Sequence, residues 1–187
     1  MSENANDQAK NQAQATARPL FDLIRVYAKD SSLETPHSPI VFQSQWKPEL
    51  QVKFDTKTTK IAEDQFEVTL RITVTCNNEG NTAFICEVTQ AGVFLLRNIP
   101  SEAGEFLLGG TAPNILFPYA REFISSLVSR ATFPQLNLAP INFEALFRAR
   151  KAQQEAQAAQ AANEVEKKEE KSEDKAEDKK PVKARKV

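Results

Sequence analysis

One histidine and two cysteines in 187 residues leave little of the equipment that covalent or metal chemistry needs. His37 stands alone in a TPHSP loop, and no GxSxG nucleophile motif accompanies it. Neither a phosphate-cradling GxxxxGKS loop nor a dinucleotide-binding GxGxxG is present. Two Cys and one His cannot supply a four-ligand zinc site at recognised spacing. The chain is therefore expected not to be an enzyme and to carry no catalytic, cofactor-binding or metal residues. Cys76 and Cys86 lie among apolar neighbours without a CxxC pattern, and packed, reduced thiols are expected. No apolar run is long enough to cross a bilayer, and the first residues have neither the basic flank nor the apolar segment of a secretory signal. A cytoplasmic protein with no direct membrane insertion is the expectation. A net charge of −1 provides no basic stripe for nucleic acid.

Both ends read as non-globular. Residues 1–18 are rich in Asn, Gln and Ala and are expected to be disordered. Residues 152–187 run from Ala/Gln-rich sequence into a charged tail. From Glu164 onward that tail holds eight acidic and nine basic residues, so the rest of the chain carries −2 of the −1 total. It has no apolar face to bury and is expected to be a disordered, solubilising tether. Residues 19–151 remain as one domain.

Within that domain Phe66, Val68, Leu70, Ile72, Val74 and Cys76 alternate with polar residues, the period-two pattern of a half-buried antiparallel strand. NNEGN (Asn77 to Asn81) reads as a hairpin loop into a second strand from Thr82 to about Leu95. There Phe84, Cys86, Val88 and Gln90 share one face, expected to be the core or oligomer face, while Ile85 and Glu87 share the other. Leu50, Val52 and Phe54 alternate in a further strand. Leu20 to Lys29 gives a fourth, with apolar residues on both faces that suggest a sheet covered on two sides.

After Pro100 the period changes. Gly109-Gly110 reads as a breaker and Asn114 as the cap of a helix whose stripe is Leu116, Ala120, Phe123 and Leu127, with Val128 beside it. Pro118 then falls in the first turn, where its missing amide costs nothing. Thr132 to Pro140 reads as a rigid loop, and Asn142 as the cap of a last helix with Phe143, Leu146 and Phe147 facing inward. The fold expected is α+β: a four-stranded antiparallel sheet followed by C-terminal helices.

From Pro113 to Phe147 the chain reads PNILFPYAREFISSLVSRATFPQLNLAPINFEALF. This series of PNILFPYARE, TFPQLNLAP and NF-acidic-ALF resembles SecB, the bacterial protein-export chaperone family. A P-x-x-F-Q-x-x-W-x-P-E segment, here Pro39, Phe42, Gln43, Trp46, Pro48 and Glu49, extends the resemblance, which covers about Phe21 to Phe147. It implies a homotetramer built as a dimer of dimers, and an ATP-independent chaperone that holds unfolded secretory precursor proteins and delivers them to SecA, the export motor ATPase. It places Phe42 and Trp46 beside an apolar client groove. Through the pattern YxKD-x-x-x-E, it also implies that Asp30, Glu34, Ile85 and Glu87 form the SecA docking surface. The near-neutral charge departs from the strongly acidic family pattern. Two alternatives stay open: a SecB-like chaperone for another client such as an antitoxin, and a small-ligand-binding α+β domain.

Overall fold

A computed structural model describes residues 18–157. The expected terminal disorder of residues 1–17 and 158–187 lies outside the described residues. The chain divides into two compact units, Met1–Ala145 and Leu146–Val187. The first contains strands β1 (Leu20–Glu34), β2 (Pro48–Lys60), β3 (Gln65–Asn78) and β4 (Asn81–Arg97), then α1 (Ser101–Phe106), a π-helical turn (Leu107–Thr111) and α2 (Ala112–Arg130). A third helix, α3, covers 143–157, so its residues from 146 onward belong to the second unit. The described residues contain no helix long and apolar enough to cross a membrane.

The strands form one antiparallel sheet in the order β1-β4-β3-β2. Strand β3 follows its period-two pattern closely, and Val68, Leu70, Ile72, Val74 and Cys76 are fully buried on its inner face. Register carries that face across the sheet. Val74 lies opposite Cys86 and Val52, and Ile72 opposite Val88 and Phe54. Each apolar side chain buried here stabilises the fold by about 1.5–3 kcal/mol.

Strand β1 departs from the sequence reading. Register shifts between Leu23 and Arg25 and between Ala28 and Asp30 insert one extra residue at each place, Ile24 and Lys29. Phe21, Leu23, Val26 and Leu33 consequently pack against the core, while Ile24 is left 51% exposed. Within one chain, these bulges account for the two-faced apolar pattern.

Helix α2 lies across the inner face and packs closely against the sheet at Gly92. A Cβ there would meet Leu116 Cδ2 at 2.9 Å and Phe94 Cε2 at 2.8 Å. The buried side of α2 is Ala112, Pro113, Leu116, Phe117, Ala120, Ile124 and Val128. Ile124 replaces the expected Phe123 on the stripe, since Phe123 and Leu127 are only partly buried against the core's edge.

Gly109-Gly110 does not end a helix, because the wider π-helical turn carries the chain continuously from α1 into α2. Pro118 therefore lies inside the helix instead of in its first turn, and the Asn114 carbonyl forgoes its intrahelical donor. Asn114 is not a cap: its Oδ1 accepts the Phe143 backbone N–H at 3.1 Å. Asn142 does cap α3, its Oδ1 accepting the Ala145 N–H at 2.9 Å.

Candidate functional site

The connection from β1 to β2, residues 35–47, is held only partly in the core. A short 3-10 helix, Ile40–Gln43, turns Val41 inward, leaving it 6% exposed, and sends its two neighbours outward: Ile40 is 71% and Phe42 48% exposed. Beneath them lies Phe133, only 4% exposed. Its ring centroid is 5.1 Å from Phe42, 5.7 Å from Trp46 and 5.0 Å from Phe84. These tilted arrangements suit aromatic quadrupoles. Phe84 anchors the stack in the sheet, Phe133 bridges it, and Phe42 and Trp46 form its accessible upper side. Leu50, 45% exposed at the start of β2, continues the apolar surface. The two expected groove residues are thus brought together on one buried ring.

Phe133 was not singled out by sequence. It enters through the end of α2, where Thr132 takes φ +66° and reverses the chain, an unusual conformation for a β-branched residue. A solitary Phe between a helix and a proline carries no periodic signal.

The opposite face of the sheet is polar. Glu34 lies across from Ile85, Ser32 across from Glu87 and Asp30 across from Thr89. The four residues assigned to docking therefore occupy one end of one face, on adjacent strands. They are not equivalent electrostatically. Asp30 and Glu34 are exposed, whereas Glu87 accepts a 2.8 Å hydrogen bond from Thr73 Oγ1 and lies 3.6 Å from Arg71 Nε. Further along, Glu67 accepts hydrogen bonds from Lys29 Nζ at 2.7 and 2.8 Å and from the Tyr27 hydroxyl. The Lys29 and Tyr27 hydrogen bonds hold the Glu67 carboxyl below the usual carboxylate range, and the bond to Glu67 raises the Tyr27 phenol. Sequence reasoning missed this cluster, which depends on the bulge at Lys29.

Phe84, Cys86, Val88 and Gln90 are all buried on the inner face. Both cysteines are free. Burial raises both thiols, pushing Cys86 to about 11, so they are protonated and unreactive near neutrality. His37 is exposed, and its Nδ1 lies 2.9 Å from the Thr82 carbonyl, to which it donates. Among the described residues no cluster of three or more His, Cys, Asp or Glu could hold a metal ion. The arrangement offers apolar and aromatic contact.

A sheet ordered β1-β4-β3-β2, with helices on one face and a half-open aromatic patch beside the β1–β2 connection, defines a SecB-like α+β domain. The sequence pattern of the SecB family, Preprotein translocase subunit SecB, matches residues 14–154, and the chain belongs to that family of chaperones. Among solved structures, it is similar to the Mycobacterium tuberculosis Rv1957 SecB-like chaperone, solved in complex with a ChAD peptide from the Rv1956 HigA1 antitoxin. The TM-score is 0.54 at 16% identity, covering 73% of this chain and 99% of that one. A protein of unknown function from Streptococcus agalactiae matches with a TM-score of 0.35 and 11% identity, over 66% of this chain and 99% of that one.

Proposed function

We propose that the protein is an ATP-independent holdase that keeps precursor proteins unfolded in the cytoplasm and passes them to SecA. The observation that carries this reading is the aromatic patch of Phe42 and Trp46 over Phe133, with Ile40 and Leu50 beside it. An isolated domain gains nothing from leaving such side chains accessible, whereas an unfolded client gains about 1.5–3 kcal/mol for each Leu or Phe it buries there. Ordering the client costs about 1–2 kcal/mol per residue fixed, so a single patch binds weakly. Homotetramerisation as a dimer of dimers multiplies the patches and raises avidity. Asp30, Glu34, Ile85 and Glu87 serve as the SecA docking surface. It lies on the face opposite the patch, so a client and a motor can be bound together.

Family membership supports this reading. The experiment that tests it follows the refolding of a signal-bearing precursor diluted from urea without nucleotide. The protein is expected to slow refolding in proportion to its concentration, and an unaltered refolding rate would contradict a holdase.

A second reading is favoured by the neighbouring structure, whose bound peptide comes from an antitoxin. In that reading the same patch serves a dedicated, aggregation-prone client. Competition between a signal-bearing precursor and an antitoxin-derived peptide distinguishes the two. The small-ligand alternative has less support, since the only buried polar side chains on the described strands are Asn78, Thr89 and Gln90, with no carboxylate among them.

A further inference from the structure

The β3–β4 hairpin end holds the segment that carries the aromatic patch, and it does so through one buried amide. Asn78, 2% exposed, is the last residue of β3 and lies opposite Pro48, the first residue of β2. Its Oδ1 accepts the backbone N–H of Lys47 at 2.7 Å, and its Nδ2 donates to the backbone carbonyl of Gln45 at 3.1 Å. Those partners flank Trp46. In an extended chain, the carbonyl before a residue and the amide after it project to the same side, so a planar carboxamide can bind both as a neighbouring peptide group would. The partners also fix the amide orientation, because an N–H requires the oxygen and a carbonyl requires the NH₂. Pro48 carries no N–H of its own, and Asn78 thus engages the chain through the residues just before the ladder begins.

The same hairpin end grips the other side of the connection. His37 Nδ1 donates to the Thr82 carbonyl at 2.9 Å. Phe42 and its 3-10 helix lie between these two attachments.

We propose that Asn78 is a positioning residue for client binding: its side chain fixes the backbone around Trp46 and so holds the indole against Phe133 at the aperture of the patch. This inference rests on the assignment of Phe42 and Trp46 to client binding. Geometry favours it over a role in general stability, because both side-chain bonds go to backbone groups adjacent to Trp46 and neither goes to the hydrophobic core.

The test uses the full chain, with Trp46 as its only tryptophan. Asn78→Asp keeps the shape and the acceptor for Lys47, but sets a carboxylate oxygen against the Gln45 carbonyl. The expected result is a red shift of tryptophan emission, at least twofold greater acrylamide quenching, and a Kd for a reduced, carboxymethylated polypeptide raised at least fivefold. Unchanged emission, quenching and affinity in a folded Asn78→Asp protein would overturn the proposal.

Amide hydrogen exchange of the unaltered protein gives a readout that does not depend on the variant folding. The Lys47 amide, bonded only to a side chain, is expected to be strongly protected, and exchange at the unstructured rate would overturn the clamp. Phe42→Ser separates the two levels. If it leaves polypeptide binding untouched, the patch itself is misassigned and the proposal falls with it. If it weakens binding while Asn78→Asp does not, the patch stands and the positioning role fails.

Discussion

Glu67 illustrates how a single residue acquires a role from its neighbours in the fold. Lys29 and Tyr27 both donate to its carboxylate and stabilise the charged form, so its pKa in the folded protein lies below the unfolded value. The sign follows. The contribution to stability is complete above the ordinary glutamate pKa of about 4.3 and disappears as pH falls through the lower folded-state value. Glu67→Gln cannot show this dependence. Urea unfolding should find the wild type more stable at pH 7 by less than about 1 kcal/mol, the range of a partly exposed ion pair, with the difference shrinking as pH falls below the ordinary glutamate pKa of about 4.3. A difference that grows on acidification would refute this reading. Glu67 was readable as a polar strand position, but its partners were not, because Lys29 reaches it only through a bulge. Phe133 was hidden for a comparable reason: its burial depends on the reversed backbone at Thr132, a property of the chain's path instead of its periodicity.

At the scale of elements, the hairpin between β3 and β4 is built as its sequence suggests, with one change. Asn78 pairs with Asn81, and the two residues between them, Glu79 at φ +50° and Gly80 at φ +80°, have the positive values of a type I′ turn. Asn and Gly are the residues that favour these angles, yet register puts glutamate at the first central position. Gly80→Ala is expected to cost about 1 kcal/mol and Glu79→Asn to contribute a few tenths in the opposite direction, both measurable by chemical denaturation. A stabilising Gly80→Ala would contradict the assigned turn. Strand β3 was legible because one uninterrupted period of two fixed which side faced inward. Strand β1 was misread because Ile24 and Lys29 each shift that period by one. The sequence pattern marks α2 and α3 but not α1, and it makes Gly109-Gly110 a boundary where a π-helical turn instead accommodates both residues within a continuous helix. That same error misplaced Asn114 as a cap and Pro118 as a first-turn residue. The aromatic patch was partly legible through Phe42 and Trp46, whereas Phe133, its buried centre, was not.

For the whole molecule, the consequential feature is the contrast between the two faces of one sheet. The inner face carries α2 and, at its edge, the aromatic patch; the outer face is largely polar and carries Asp30, Glu34 and Glu87. On the proposed reading, reversing charge on the outer face should disturb the motor and spare the client. Asp30→Lys with Glu87→Lys is expected to weaken SecA binding at least tenfold at low salt while leaving polypeptide capture within twofold, as titrations of each partner would report. Because Glu87 is already engaged by Thr73 and Arg71, Asp30→Lys alone should account for most of the loss. Equal affinity for SecA in the double variant would remove the docking assignment without touching the holdase.

The most direct measurement is mass photometry of the purified full chain with a reduced, carboxymethylated polypeptide that cannot fold, without nucleotide. The wild type is expected to appear as a homotetramer that gains the mass of the polypeptide, while Phe42→Ser with Trp46→Ser retains the tetramer mass and captures little. A wild-type protein that acquires no polypeptide mass, or a double variant that captures as much as the wild type, would contradict client binding at this patch.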